Sequence, residues 1–195
     1  GEPEEGPGDG GCGVVKALLI LGPRFQDHEG LYPYYRLQEE GFEVEVATNA
    51  ADGVRVDLVF GDFGIPLSVN VQSWQLGPLV NRHEILIIGG GAKALEKLRQ
   101  DQFIIDFVRA FHESGKPIGA ICHGVQILLS AGLVKGRRIA GYYSIADDVR
   151  AHGGIYTDEP AVTDGTIVTT AHYKHLGPWM REVLRVWRER GLNET

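Results

Sequence analysis

The chain has 195 residues and a formal net charge of -7, from 26 acidic against 19 basic side chains. That is the length of one ordinary domain, and the acidic balance leaves no electrostatic footprint for nucleic acid or an anionic membrane. No apolar stretch reaches the roughly 20 residues of a membrane-spanning helix, and two cysteines in unlike contexts, Cys12 and Cys122, speak for free thiols in a reducing, cytoplasmic setting rather than a disulfide framework.

Residues 1–13 (GEPEEGPGDGGCG) are acidic and glycine-rich, unlike a secretory signal, and read as a disordered tail. Cys12 has no role there. Residues 14–195 read as a single domain. Val14 to Leu21 is an apolar run suited to a buried parallel strand. Asp27 is placed to cap a helix running to about Glu40, bent at Pro33 and stopped by Gly41. Phe42 to Thr48 alternates as a strand, and residues 54–72 read as a hairpin excursion. Glu84 to Ile88 is a buried strand that ends in Gly89, Gly90 and Gly91, a tight turn lacking the spacing of a phosphate loop. Phe103 to Ser114 has the period of an amphipathic helix. Ile118 to Ile121 is a further buried strand. Beyond it come the segment Arg138 to Tyr143, a short helix near Ile145 to His152, and strands near 161–162 and 166–170. A last helix from about Lys174 to Arg190 aligns Trp179, Val183, Val186 and Trp187 on one face. Strands alternating with helices predict an α/β fold, a three-layer sandwich around a mainly parallel sheet. In such sheets sites lie at the carboxyl ends of the strands, where Gln26, the glycine turn and Cys122 all fall.

Cys122 is the most informative residue. The run Ile118 to Ile121 stops at Cys122-His123-Gly124 and a helical pattern begins at Val125. A thiol on such a strand–turn–helix elbow is lifted from the sheet, and the helix N-terminus predicts a thiol of low pKa. The same backbone N–H groups can hold an oxyanion.

Ala120 to Arg137 (AICHGVQILLSAGLVKGR) resembles the elbow region of the DJ-1/PfpI superfamily. Phe25 to Leu37 resembles the first loop and helix of that family, and Asp147 to Gly154, Thr163-Asp-Gly165 and Trp179-Met180 match later landmarks. The likeness spans about residues 15–188 and is nearest the PfpI branch. It implies a flavodoxin-like fold, a homo-oligomer (dimer or hexamer), no cofactor, and a small-molecule substrate. Known activities of the family include claimed proteolysis, glyoxalase or deglycase chemistry, isocyanide hydration and redox sensing. By this resemblance Cys122 is the nucleophile and His123 its acid–base neighbour. Glu96 matches a glutamate that a neighbouring subunit contributes. Gln26 stands where the family places a glutamate against the sulfur; an amide can donate to sulfur but cannot titrate, which implies reduced glyoxalase competence. Gly90, Gly91 and the Val125 backbone are the candidate anion donors, and Tyr142 and His172 candidate pocket walls. PfpI members commonly carry Ser-Arg where this chain has Ala171 and His172. His172 and His175 lack the accompanying ligands of a metal site, and no His-X-Glu completes an amidotransferase triad. The expectation is a cysteine-nucleophile enzyme acting on a small electrophile. The alternatives are a redox sensor working through Cys122 oxidation and a catalytically silent scaffold.

Overall fold

In the computed structural model residues 13–50 and 52–193 are described; Cys12 and the rest of the expected tail before Gly13 lie outside them. The elements in chain order are β1 (Lys16–Ile20), α1 (Asp27–Glu39), β2 (Glu43–Thr48), β3 (Leu58–Phe60), β4 (Pro66–Ser68), β5 (Val71–Gln72), β6 (Ile85–Ile88), α2 (Ala92–Leu98), α3 (Gln102–Glu113) and β7 (Ile118–Ile121). There follow α4 (Val125–Ser130), β8 (Arg138–Ile139), α5 (Ala146–Ala151), β9 (Ile155–Tyr156), β10 (Val162–Asp164), β11 (Ile167–Thr170) and α6 (Leu176–Asn193).

The apolar runs become the centre of one seven-stranded sheet, ordered β10-β11-β7-β6-β1-β2-β5. Every pairing in it is parallel except β10 with β11. β6, β7 and β11 are buried along their whole length, as strands covered on both faces must be. α1 and α6 pack together against the sheet, while α2, α3 and α4 form a second group. The expected α/β sandwich is the one observed.

Several boundaries differ, each for a physical reason. Gln26, not Asp27, caps α1: its Oε1 accepts from the Glu29 N–H at 3.0 Å. Asp27, 5 % exposed, instead accepts from Phe63 N at 2.8 Å and Ile65 N at 3.2 Å, which ties the β3–β4 hairpin to the helix start. Pro33 lies within α1, which runs on past it to Glu39. In the segment 138–143 only β8, ending at Ile139, is a strand. After it, Ala140 N bonds to the Thr169 hydroxyl at 2.9 Å and Tyr142 N to the Cys122 carbonyl at 3.3 Å, so this stretch crosses to the site instead of extending a ladder. The last helix is preceded by a 3₁₀ turn, Tyr173–His175, capped by the His172 side chain.

Candidate active site

Cys122 follows β7 directly and opens a 3₁₀ turn, Cys122–Gly124, that leads into α4. Its φ is 58°, the left-handed region that side chains avoid. Strain of this kind persists where surrounding structure enforces it. The turn packs closely against β6: at Gly124 a Cβ would sit 2.7 Å from the carbonyl oxygens of Ile88 and Gly89. The elbow read from the sequence is therefore present.

The structure joins β1, β6 and β7 at their carboxyl ends, as expected. Gln26 N donates to the Gly90 carbonyl at 3.1 Å, and Gln26, Gly91 and Cys122 line one pocket of about 440 Å³. His123, Tyr142 and His172 line it too. His123 Nδ1 lies 3.5 Å from Cys122 Sγ, and its ring stacks on Tyr142 with centroids 4.7 Å apart. Burial holds the His123 pKa below the ordinary imidazole value, so the ring is neutral at pH 7.

Three expectations need correction. The first concerns the carboxyl. Gln26 spends its amide on capping α1 and on a 2.8 Å contact from Nε2 to His28 Nδ1, and it is not the hydrogen-bond donor to sulfur. A titratable carboxyl is nonetheless there: Glu29, one turn further on, is fully buried and lines the pocket. A Cβ at Gly90 would overlap Glu29 Oε1 and lie 2.9 Å from Cys122 Cβ, so the absence of a side chain at Gly90 lets carboxyl and thiol share this space. Neither Glu29 oxygen has a hydrogen-bond partner among the described residues. The Gly90 N–H draws the carboxylate electrostatically without closing a bond, and burial outweighs it, pushing the Glu29 pKa up to about 8. The expectation of impaired proton transfer built on Gln26 falls with this. Glutamate three residues after the N-cap ordinarily reaches back to the N-cap N–H. That N–H is taken by the Gly90 carbonyl, which leaves Glu29 free to turn inward. The sequence signal was the spacing of Glu29 from the capping residue.

The second correction concerns the thiol. Burial, then the negative charge of Glu29, push Cys122 up to about 12, against smaller lowering by the backbone N–H groups of His123 and Gly91. The low-pKa thiol expected from the helix N-terminus is not found. α4 is only six residues long, too short a dipole to offset desolvation. The two acids oppose one another's ionisation, so at neutral pH both hold their protons.

The third concerns anion donors. Val125 N–H is spent on the carbonyls of Cys122 and His123 and is not available. Gly90 N–H faces Glu29. Gly91 N–H does act on the sulfur, and the His123 backbone N–H, missed in the sequence, is the other donor. Gly91 adopts φ 108°, which requires glycine. Glu96 lies on the exposed side of α2, outside the pocket of its own chain, and His175 is outside it as well. No cluster of metal-ligating side chains occurs among the described residues, and no described helix is long and apolar enough to cross a membrane.

A model of the DJ-1/PfpI family matches residues 15–186. Curated relatives include the deglycase PfpI of Pyrococcus furiosus, 34% identical over 172 residues that cover 88% of this chain and 99% of the relative. The putative cysteine protease YraA of Bacillus subtilis is 32% identical, covering 88% and 97%. The protein/nucleic acid deglycase 2 of Escherichia coli is 30% identical, covering 88% and 96%. Among solved structures, a ThiJ/PfpI domain protein from Brachyspira murdochii superposes with a TM-score of 0.81 over 91% of this chain and 99% of its own, at 18% identity. That likeness speaks to the fold alone.

Proposed function

The chain belongs to the DJ-1/PfpI family, and from that premise we propose that it is a cysteine-dependent enzyme of the glyoxalase or deglycase kind. Its substrate would be an α-oxoaldehyde or the adduct such an aldehyde forms with an amine. The observation that carries this reading is the buried Glu29 carboxyl beside the Cys122 thiol at a strained elbow. A nucleophile paired with a proton carrier near pH 7 is what the reaction needs.

Cys122 Sγ attacks the aldehyde carbon. The S–C bond forms, the carbonyl π pair moves to oxygen, and the thiol proton ends on that oxygen, passed through His123 and Glu29. Gly91 and His123 N–H groups hold the oxygen while it is charged. With an amine adduct the same attack on the carbinol carbon expels the amine, which takes the proton. Glu29 then moves the proton of the thiol-bearing carbon to the neighbouring carbon while the hydroxyl proton passes to the neighbouring carbonyl oxygen, giving the thioester of an α-hydroxy acid. Water cleaves the thioester and restores the thiol. A thiol that keeps its proton at rest suits this sequence, because the proton transfer accompanies attack.

Oxidation sensing is disfavoured by the same facts. Reactive sensor thiols are exposed and of low pKa, whereas Cys122 is 7 % exposed and raised in pKa.

The test is turnover of methylglyoxal to the hydroxy acid. Cys122→Ser is expected to abolish it. Glu29→Gln is expected to lower it by about 10²- to 10⁴-fold, with Gln26→Glu having no restoring effect. Because Glu29 acts as a base once ionised, wild-type kcat should rise with pH up to about 8, a limb absent from Glu29→Gln. Unchanged turnover in Glu29→Gln would overturn the assignment.

A further inference from the structure

Two features of the pocket reach beyond the residues used in the chemistry above. The first is a run of rings leading outward from His123. Its ring centroids step from His123 to Tyr142 at 4.7 Å, to Tyr143 at 5.6 Å, to His172 at 6.5 Å, to Tyr173 at 4.0 Å and to His28 at 4.7 Å. Four of these, His123, Tyr142, His172 and Tyr173, line the pocket. The His172 ring is neutral at pH 7: burial first, then the charges of Lys174 and His175, lower its pKa, and its Nδ1 accepts from Lys174 N at 3.0 Å. The wall is thus built of uncharged rings packed on one another, and Tyr173, in contact with His172 and His28, is still 41 % exposed.

The second feature is charge at the same pocket. Arg24 Nε and Lys93 Nζ both approach one oxygen of Asp62, at 3.1 and 3.7 Å, and all three residues line the pocket. Of the other carboxyl groups lining the pocket, Glu29 holds its proton at pH 7 and Asp27 accepts from the Phe63 and Ile65 N–H groups, so Arg24 and Lys93 share the single carboxylate of Asp62. Arg24 is held at φ 67°; among the described residues only it and Cys122 are non-glycine residues with positive φ. Both strained residues line this one pocket, and backbone strain of this kind clusters at active sites and ligand clamps.

We propose that this pocket selects a flat aromatic substrate bearing an anionic group, with the ring against Tyr173 and His172, the anion at Arg24 and Lys93, and the reactive carbonyl at Cys122. This deepens the function proposed above and rests on it for the reaction, though not for the binding. Aromatic rings gain from offset-stacked or edge-to-face contact with another ring beyond the area they bury. The anion would compete with Asp62 for the two cations.

Binding can be read separately from turnover by ligand-observed NMR titration of the full chain with three probes. Benzoylformate has ring and carboxylate, pyruvate the carboxylate alone, and acetophenone the ring alone. Benzoylformate should bind about three- to tenfold tighter than pyruvate and about two- to fivefold tighter than acetophenone. Tyr173→Ala should erase the margin over pyruvate, and Tyr173→Phe should keep it. Lys93→Gln should weaken both acids and leave acetophenone unchanged; Asp62→Asn should strengthen both acids. Tyr173 and Lys93 are exposed, so these variants are expected to fold, which near-ultraviolet circular dichroism verifies. Benzoylformate binding no tighter than either fragment, or a preference that survives Tyr173→Ala and Lys93→Gln, would overturn the subsite. Failure of the wild type to turn over either methylglyoxal or phenylglyoxal with this binding pattern intact would overturn the reaction and uphold the subsite. Robust turnover without the pattern would do the reverse.

Discussion

At the scale of single residues, the site depends on what glycine leaves out as much as on what the reactive side chains supply. Gly90 has no Cβ, and the space it leaves is where Glu29 and Cys122 approach each other. Gly90→Ala should cost about 1–3 kcal/mol through overpacking. It should also lower turnover by at least about tenfold, since misplacing a catalytic group by about 1 Å costs on the order of 10². Chemical denaturation and steady-state kinetics on one sample check both; full activity in Gly90→Ala would show that carboxyl and thiol need not share that space. Cys122 and His123 were legible from the elbow pattern because a local signal specifies them. Glu29 was not, because it sits where a capping carboxylate would ordinarily turn outward. Only the carbonyl of Gly90, distant in sequence, takes the N–H that would have held it there.

At the scale of elements, α1 carries the site through its first turn. Gln26 caps it, Asp27 fastens the β3–β4 hairpin, and Glu29 enters the pocket. Asp27→Ala leaves the Phe63 and Ile65 N–H groups without their charged acceptor. Loss of such bonds predicts a destabilisation of about 2–3 kcal/mol. Faster amide exchange should be confined to residues near 61–65, with helix signals little changed; global loosening in exchange experiments would mean that the hairpin is not the element held. The hairpin itself was readable from residues 54–72, and so was the helix. Their fastening was not, because Asp27 offers the same capping signal whether it caps its own helix or a neighbouring loop.

At the scale of the whole molecule, the buried carboxyl makes stability depend on pH. Glu29 titrates near 8 in the folded chain and near the ordinary 4.3 when unfolded. The folded state therefore holds the extra proton between those values. Stability from this group is complete below about pH 4.3 and is lost as pH rises through 8, by about 5 kcal/mol. The raised pKa of Cys122 adds a further loss at more alkaline pH. Urea midpoints for Glu29→Gln minus wild type should climb from pH 5 to pH 8.5, the variant becoming the more stable protein as it loses activity; a flat difference would refute a buried, ionisable Glu29. We also propose self-association, which would bring the exposed Glu96 of one copy toward the site of another; a monomer at micromolar concentration by light scattering would remove that role. The sequence by itself determined the parallel α/β sheet, the elbow and the convergence of three strand ends, because apolar runs, glycine turns and helix periods are local signals. Only the tertiary structure decided which carboxyl faces the thiol, which N–H groups remain free for an anion and how high the thiol titrates. Those depend on burial and on partners far apart in the chain, and desolvation there outweighs the local helix field.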